Sequence, residues 1–511
     1  MTREEKVKYL LSNPDKLLMK RPFLRGGGDF SPRDRHDGAD ATTTASMVAT
    51  LPTIHKNVVS QERFAMELDP QHHEVMFDDN LPSICVKLRS KGGRHGGGVH
   101  YQEVNYKRMG IALQERIRQK KTLTQCGNPL QHTLRGSNHS EQDLLNFATI
   151  KEAWVDRNQD GMITKAVYTQ LGYGDVGLLY YRNEFGEIKS RLLSYADGYV
   201  IISHNDDNGE RVMECVYYAD SNGTRHIDCY DDTNIYHLTD TDGWNDTIPF
   251  EPHGFNEIPL VTKRGDVAWN DAQSLIEAFE ILYNIYLVIQ KRHGWGILYI
   301  RGKINETVKK LAGSIVLNDT SLDGNGSAEF KAPPSPQGVL DTLQSIYEQI
   351  QINSSCTFIL PKDVKTSGDI SAVAIMLTQQ LDIEGATSRI IEWQNFIDKA
   401  MRLFAYGYAQ ELVQKGENPT AITDFAKLKI STKFKIWRPF SEEGYNQMLA
   451  TMKNAAILSR KTAVEKNTIV QPDELQRIEQ EEEEVRRLQE EQQARTAALA
   501  ANINTNQANE E

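Results

Sequence analysis

The chain has 511 residues, 39% hydrophobic, 25% charged and 8% aromatic, with a formal net charge of −12 and a mean hydropathy of −0.53. That length suits several structural units with at least one sizeable core, and the net acidity argues against a protein that grips nucleic acid through bulk charge. No run approaches the roughly 18 apolar residues of a membrane span, the richest stretch, 281–289, being short and holding Asn284. The opening residues, MTREEKVKYLL, lack the apolar core and small-residue cleavage site of a signal peptide. The five cysteines (Cys85, Cys126, Cys215, Cys229, Cys356) are odd in number and scattered, which points to reduced structural thiols and away from a zinc site.

In chain order, residues 1–100 read as a poorly structured arm. Glycine clusters (Gly26-Gly27-Gly28, Gly96-Gly97-Gly98) punctuate it and lower its ordered content, although a strand-like piece at 83–88 can still pair. Residues 101–153 carry helical spacing (Ile111, Leu113, Ile117, then Leu144, Leu145, Phe147, Ile150). From 162 to 262, runs at 166–171, 177–181, 199–203, 211–218 and 234–238 are separated by Asn-Gly, Asp-Gly and Asp-Asn turns, the pattern of an antiparallel β region. Residues 270–293 form a continuous helix candidate, with Leu275, Ile276, Phe279, Leu282, Tyr283, Tyr286 and Ile289 at three-four spacing; 24 residues make a rod of about 36 Å. A β insertion follows (295–300, 314–317), then a second helix at 337–353 marked by Val339, Leu343, Ile346, Tyr347 and Ile350. A loop at 361–369 leads to a long third helix, 370–413, where Gly385 offers a kink. A strand at 429–436 precedes a helical tail that ends in a Glu/Gln-rich stretch.

Few motifs suggest chemistry. Asp156-Arg157-Asn158-Gln159-Asp160-Gly161-Met162-Ile163 copies the first half of a calcium loop, but Val167 stands where a bidentate Glu is needed and the following residues read as a strand. An Asp/Asn/Gly turn is the plainer account. No phosphate-cradling glycine loop is present. His72-His73-Glu74 near Asp78-Asp79 reads as a surface polar cluster. No nucleophile, base or paired-carboxylate spacing implies catalysis; no catalytic residue, metal or cofactor is expected. Residues 473–495 carry nine acidic and four basic side chains, the profile of a solvated helix or coiled-coil flank. Two alternative functions remain open at this point, a calcium-binding regulatory protein using Asp156 to Asp160 and a helical scaffold or adaptor acting through residues 441–511.

The order of these pieces resembles the portal proteins of tailed double-stranded DNA bacteriophages. The residues that carry the resemblance are His253-Gly254-Phe255-Asn256-Glu257-Ile258-Pro259-Leu260 before the first long helix and Tyr283-Asn284 within it. Further along stand Ser367-Gly368-Asp369-Ile370-Ser371-Ala372, Trp437-Arg438-Pro439-Phe440, and Ile457-Leu458-Ser459-Arg460-Lys461-Thr462. Upstream, Gln125-Cys126-Gly127-Asn128-Pro129 and Gly174-Asp175-Val176-Gly177 are similar to family elements. The resemblance spans roughly residues 101–472.

It implies an α+β portal fold: an arm (1–100), a β-rich wing (101–269), stem helix 1 (270–293), a small α/β clip (294–336) and stem helix 2 (337–355). A tunnel loop region (356–370), a long kinked helix with a returning wing strand (371–440) and a helical crown (441–511) complete it. It also implies a ring, typically of twelve subunits, at one capsid vertex of the virion, assembled in the host cytoplasm and conducting DNA. Implied partners are further copies of the chain, the major capsid protein, the terminase large subunit, a head–tail adaptor and, as a further candidate, a scaffold protein; double-stranded DNA passes non-specifically and no membrane is involved. Implied site residues are Lys362, Asp363, Lys365, Thr366 and Ser367 in the tunnel loop, Lys291 and Arg292 facing the channel at the stem end, and Arg301, Lys303, Lys309 and Lys310 on the clip as a docking patch for a partner. An acidic ring suits this task, because each phosphate neutralised by a fixed cation adds affinity and hence friction.

Overall fold

A computed structural model describes residues 3–12, 61–77, 84–89, 99–104, 108–136, 139–206, 208–241, 244, 248–293, 297–301, 315–319, 327–331, 337–358, 379–437, 449–454, 463, 483, 486 and 487. The chain divides into two compact units, 1–359 with 379–437, and 360–378 with 438–511. The described residues of the second unit are all helical. All elements named below belong to the first.

The arm contributes more than its glycines suggest. Helix α1 (Arg3–Leu11) buries Val7, Leu10 and Leu11, and α2 (Gln61–Leu68) buries Phe64 in the main core. Two single-turn 3₁₀ helices follow, at Pro70–His72 and Glu74–Met76, then an antiparallel hairpin of β1 (Ile84–Arg89) and β2 (Val99–Val104). The expected strand at 83–88 is present, and α1 and α2 take helical form because Val7, Leu10, Leu11 and Phe64 reach cores far away in sequence.

Helix α3 (Leu113–Cys126), strand β3 (Gln131–Leu134) and helices α4 (Glu141–Asp156) and α5 (Gln159–Tyr173) come next. Ser140 and Asp143 form a reciprocal capping box at the start of α4. The expected strand at 166–171 is therefore a helix. Its β-branched residues favour a strand locally, whereas Ile163, Ala166, Val167, Gln170 and Leu171 are buried at helical spacing. Gly174 ends α5 with φ +80, a left-handed cap that glycine adopts without strain.

From there the chain is β-rich. Strands β4 (Asp175–Arg182), β5 (Ile188–Leu193), β6 (Val200–Asn205), β7 (Arg211–Ala219), β8 (Arg225–Tyr230), β9 (Asn234–Asp240), β10 (Phe250–Pro252) and β11 (Leu260–Arg264) form two antiparallel sheets. Their orders are β10-β9-β8-β7-β6 and β11-β4-β5. Leu193, Val216, Tyr230, Ile258 and Leu260 pack together where the sheets meet. Helix α6 (Gln273–His293) follows a 3₁₀ turn at Asn270–Ala272. Strands β12 (Ile297–Arg301), β13 (Ile315–Asp319) and β14 (Ser327–Lys331) then make a mixed sheet in which β12 pairs parallel to β13 and antiparallel to β14. The described part of the expected α/β clip is thus all strand.

Helix α7 (Gln337–Ser354), helix α8 (Gln380–Lys415), helix α9 (Ala421–Lys427) and strand β15 (Ile430–Lys433, paired with β3) complete the unit. The 36-residue α8 is its axle: Trp393, Phe396, Ile397, Ala400, Leu403, Phe404, Ala409 and Leu412 are buried in the main core. Trp154 meets Phe404 edge to face at 5.1 Å. A Cβ at Gly407 would lie 2.2 Å from Ile188 Cδ1, so glycine here lets α8 press against the β4–β5 hairpin. Gly385 lies inside the helical run, its absent Cβ leaving room for Ser355.

Glu411 locks this packing. Buried at 2% side-chain exposure, its carboxylate accepts from Arg157 Nη2 (2.8 and 2.9 Å), Lys415 Nζ (2.8 Å) and the Ile188 N–H (3.0 Å). Burial opposes its charge, yet these donors hold its pKa below the ordinary glutamate value. Arg157→Met is expected to lower unfolding free energy by about 2–4 kcal/mol, since it strips a buried carboxylate of its main partner. Arg135→Ala, at the exposed pair with Asp398, should cost about 0–1 kcal/mol. Urea unfolding of the two variants checks the contrast; equal costs would refute the assignment.

Candidate functional site

Helices α6 and α7 bracket the β12–β14 sheet, and α7 returns along α6 with Phe279 and Tyr347 in ring contact at 6.1 Å. The buried residues of α6 and the 3₁₀ turn before it recur every fourth position: Ala272, Ile276, Glu280, Asn284 and Val288. Four-residue spacing puts them on one stripe, and its third and fourth members are polar. Each polar side chain must therefore find its partners inside the protein.

The arm supplies them. His73 Nδ1 lies 2.7 Å from Glu280 Oε1, and its Nε2 lies 2.9 Å from the Glu67 carbonyl. The Ile111 N–H donates to the same Glu280 oxygen at 2.6 Å. Asn284 reads the Met109 backbone twice, accepting its N–H at 2.9 Å and donating to its carbonyl at 2.8 Å. Residues 61–77 and 108–111 thus form a strap across the stripe of α6. Glu67 accepts from Trp269 Nε1 at 2.8 Å, tying the strap to the turn that starts the helix.

A carboxylate and a carbonyl both accept, so a histidine between them satisfies both only when both ring nitrogens carry protons. Burial disfavours that charge, but the hydrogen bond and charge of Glu280 outweigh it and His73 titrates above the ordinary histidine value. Burial also outweighs the Trp269 and Arg63 contacts at Glu67, raising its pKa. His72, next in sequence, is half exposed and bonded to Asp69 at 2.8 Å, so the adjacent histidines do not act together. Asp78 and Asp79 lie outside the described residues.

A second junction stands at the far end of α7. Asp382 Oδ1 accepts the Thr357 N–H at 3.0 Å, and Lys120 Nζ lies 3.5 Å from Asp382 Oδ2. The chain therefore leaves at Phe358 and re-enters at Gln379 at points held side by side. Lys362, Asp363, Lys365, Thr366 and Ser367 fall between them, outside the described residues, as do Lys303, Lys309 and Lys310. Arg301 ends β12, and Lys291 and Arg292 occupy the last turn of α6.

The calcium-loop signature resolves into an αα-corner. Asp156 closes α4, Asn158 takes φ 49, and Asp160 already lies in α5. Both Asp160 oxygens are engaged, accepting from Trp154 Nε1 at 2.7 Å and the Leu130 N–H at 3.3 Å. Among the described residues no group of three His, Cys, Asp or Glu side chains could hold a metal ion.

Composition separates α6 from an ordinary surface helix. Residues 270–290 are long and apolar enough to cross a membrane, at mean hydropathy 1.3, which corrects the expectation that no segment comes near. Glu280 and Asn284, locked to the strap, mark this as a packed helix, although only 28% of that window is buried. Helix α7 carries Asp341 and Glu348, both exposed, and neither lysine nor arginine.

The family description "phage portal protein, SPP1 Gp6-like" matches residues 103–495, more than three quarters of the chain. The chain belongs to this phage portal protein family. No curated protein matches it. Helices α6 and α7 of the portal chain are readable from their period; its strap is not. Glu280 and Asn284 do show in sequence as polar residues four apart inside an apolar stripe, but their partners lie up to 207 positions away.

The raised pKa of His73 sets a pH dependence. A proton held more tightly in the folded state stabilises the docked strap fully below the free-histidine value of about 6.5. That contribution is lost as pH rises through the folded-state value, and the raised Glu67 pKa acts in the same sense. Hydrogen exchange at the 108–111 amides, corrected for intrinsic rates, should accelerate from pH 6 to pH 9. The acceleration should be clearly smaller in His73→Gln, which retains only the Glu67 contribution; an equal pH response in the variant would refute the assignment.

Proposed function

We propose that the portal chain assembles as a ring, twelve copies being the number expected from the family resemblance, at a unique capsid vertex, and that viral double-stranded DNA is packaged and ejected through it. The observation that carries this reading is α6: the most apolar of the described helices is fully buried along one stripe, while most of its other side chains are only half-buried among the described residues. An apolar surface of that extent calls for protein on its remaining faces, and further copies of the same chain supply it by rotation. The acidic, lysine-free α7 suits a conduit wall, because it offers no cation to hold a phosphate.

On this reading α6 and α7 are the stem. Lys291 and Arg292 end it, and Lys362, Asp363, Lys365, Thr366 and Ser367 form a loop that meets DNA where Asp382 closes its base. Arg301, Lys303, Lys309 and Lys310 give the clip a basic patch for the terminase large subunit during packaging and a head–tail adaptor afterwards, with charge setting partner choice more than affinity. The major capsid protein surrounds the assembly in the virion, after assembly in the host cytoplasm.

Native mass measurement of the purified full chain should give a ring many times the 57.9 kDa subunit; a monomer or dimer under all assembly conditions would sink the proposal. Charge reversal tests the conduit wall separately. Asp341→Lys with Glu348→Lys should leave ring assembly intact and reduce the yield of genome-filled heads at least several-fold, through added phosphate contacts. Unchanged filling would place α7 away from the DNA path.

A further inference from the structure

The five-stranded sheet buries one face against the β11-β4-β5 sheet. The other presents Val200, Ile202, Met213, Cys215, Ile227, Cys229 and Leu238. Among the described residues, α1 covers that second face through Val7, Leu10 and Leu11, with Tyr195, Trp244 and Ile248 packed beside them. A nine-residue helix is too short to hold its structure alone in water, so α1 is folded by the surface on which it sits.

Nothing in this contact requires the helix and the sheet to belong to one subunit. Residues 13–60 separate α1 from the next described residue, Gln61. A chain of that length reaches up to about 160 Å when extended, against a diameter of roughly 55 Å for a compact body of this size. Every copy offers the same face and the same helix. A helix seated on a neighbour makes the contacts it would make at home, and it also links two subunits, which is the low-cost logic of element exchange.

We propose that α1 is exchanged between copies of the chain, each α1 seating on the β6–β10 sheet of a neighbouring subunit. This rests on the ring reading above, since exchange needs a neighbour. In a closed ring every sheet then receives one helix and every helix finds one sheet, so no apolar face is left open. The ring gains one tethered link per subunit without any new interface.

Mixed assembly tests it. Full-length chain of natural isotope content, with p-benzoylphenylalanine in place of Tyr9, is co-assembled with an equal amount of ¹⁵N-labelled chain lacking the photoprobe, then irradiated and digested. Exchange predicts that about half of the crosslinks to the β7 peptide are to the ¹⁵N form, as random neighbours require. Ring-sized assemblies giving only unlabelled β7 crosslinks would overturn the exchange and leave the ring reading standing. Particles of monomer mass would overturn both.

A second measurement does not depend on crosslinking. Leu10→Asp places a charge in the contact, so subunits of preformed labelled and unlabelled rings should mix at least several-fold faster than in the unmodified protein. An unchanged mixing rate would overturn the proposal.

Discussion

The described architecture hangs on two polar residues inside an apolar stripe. Had Glu280 and Asn284 been aliphatic, α6 would pack against any complementary surface, in several registers. As it stands, Glu280 needs the His73 imidazole and the Ile111 N–H, and Asn284 needs both backbone groups of Met109. Buried polar groups without partners are costly, so only one docking of strap and helix satisfies them together. That placement positions the start of α6 through Glu67 and Trp269, and with it α7 and the sheet between the two helices.

The acidic side chains divide into two populations with opposite work. Glu280, Glu411 and Asp382 are buried and engaged by named donors, and they join segments far apart in sequence. Asp341 and Glu348 are exposed on α7 and, among the described residues, bonded along their own helix to Gln337 and Gln344. The first group holds α6 and α8 to the segments packed on them and is screened much less by salt. The second sets the electrostatic character of a surface and is screened over about 8–10 Å at physiological ionic strength. Net charge alone could not distinguish them, and the count of −12 is best read as surface character over an internally neutralised frame.

Elements whose buried face repeats over many residues were visible in sequence. Helices α6 and α7, helix α4 at 141–156 and most strands between 175 and 240 fall where period and turn chemistry place them. Residues 159–173 were misassigned in part because Ile163, Val167 and Thr169 favour strands locally, while the core needed a helix there. Strands β5, β8 and β11 escaped notice because their runs are short and interrupted by charges such as Lys189, Arg191 and Asp228. The strap is the deeper omission. His73 makes its decisive contact across 207 positions, and no local pattern marks a histidine whose partner lies in another element; comparable separations of 223 and 254 positions hide the Glu411 junction.

The Asp382–Thr357 bond gives the portal chain a kind of modularity. With departure and return points fixed side by side, the chain between them closes on itself whatever its length, and closure entropy grows only by about 0.6 kcal/mol for each doubling. A change in the length of that connection therefore adds little closure cost to the unit formed by 1–359 and 379–437. Such a junction lets lineages retune the segment, in size and in charge, at little risk to the fold that carries it.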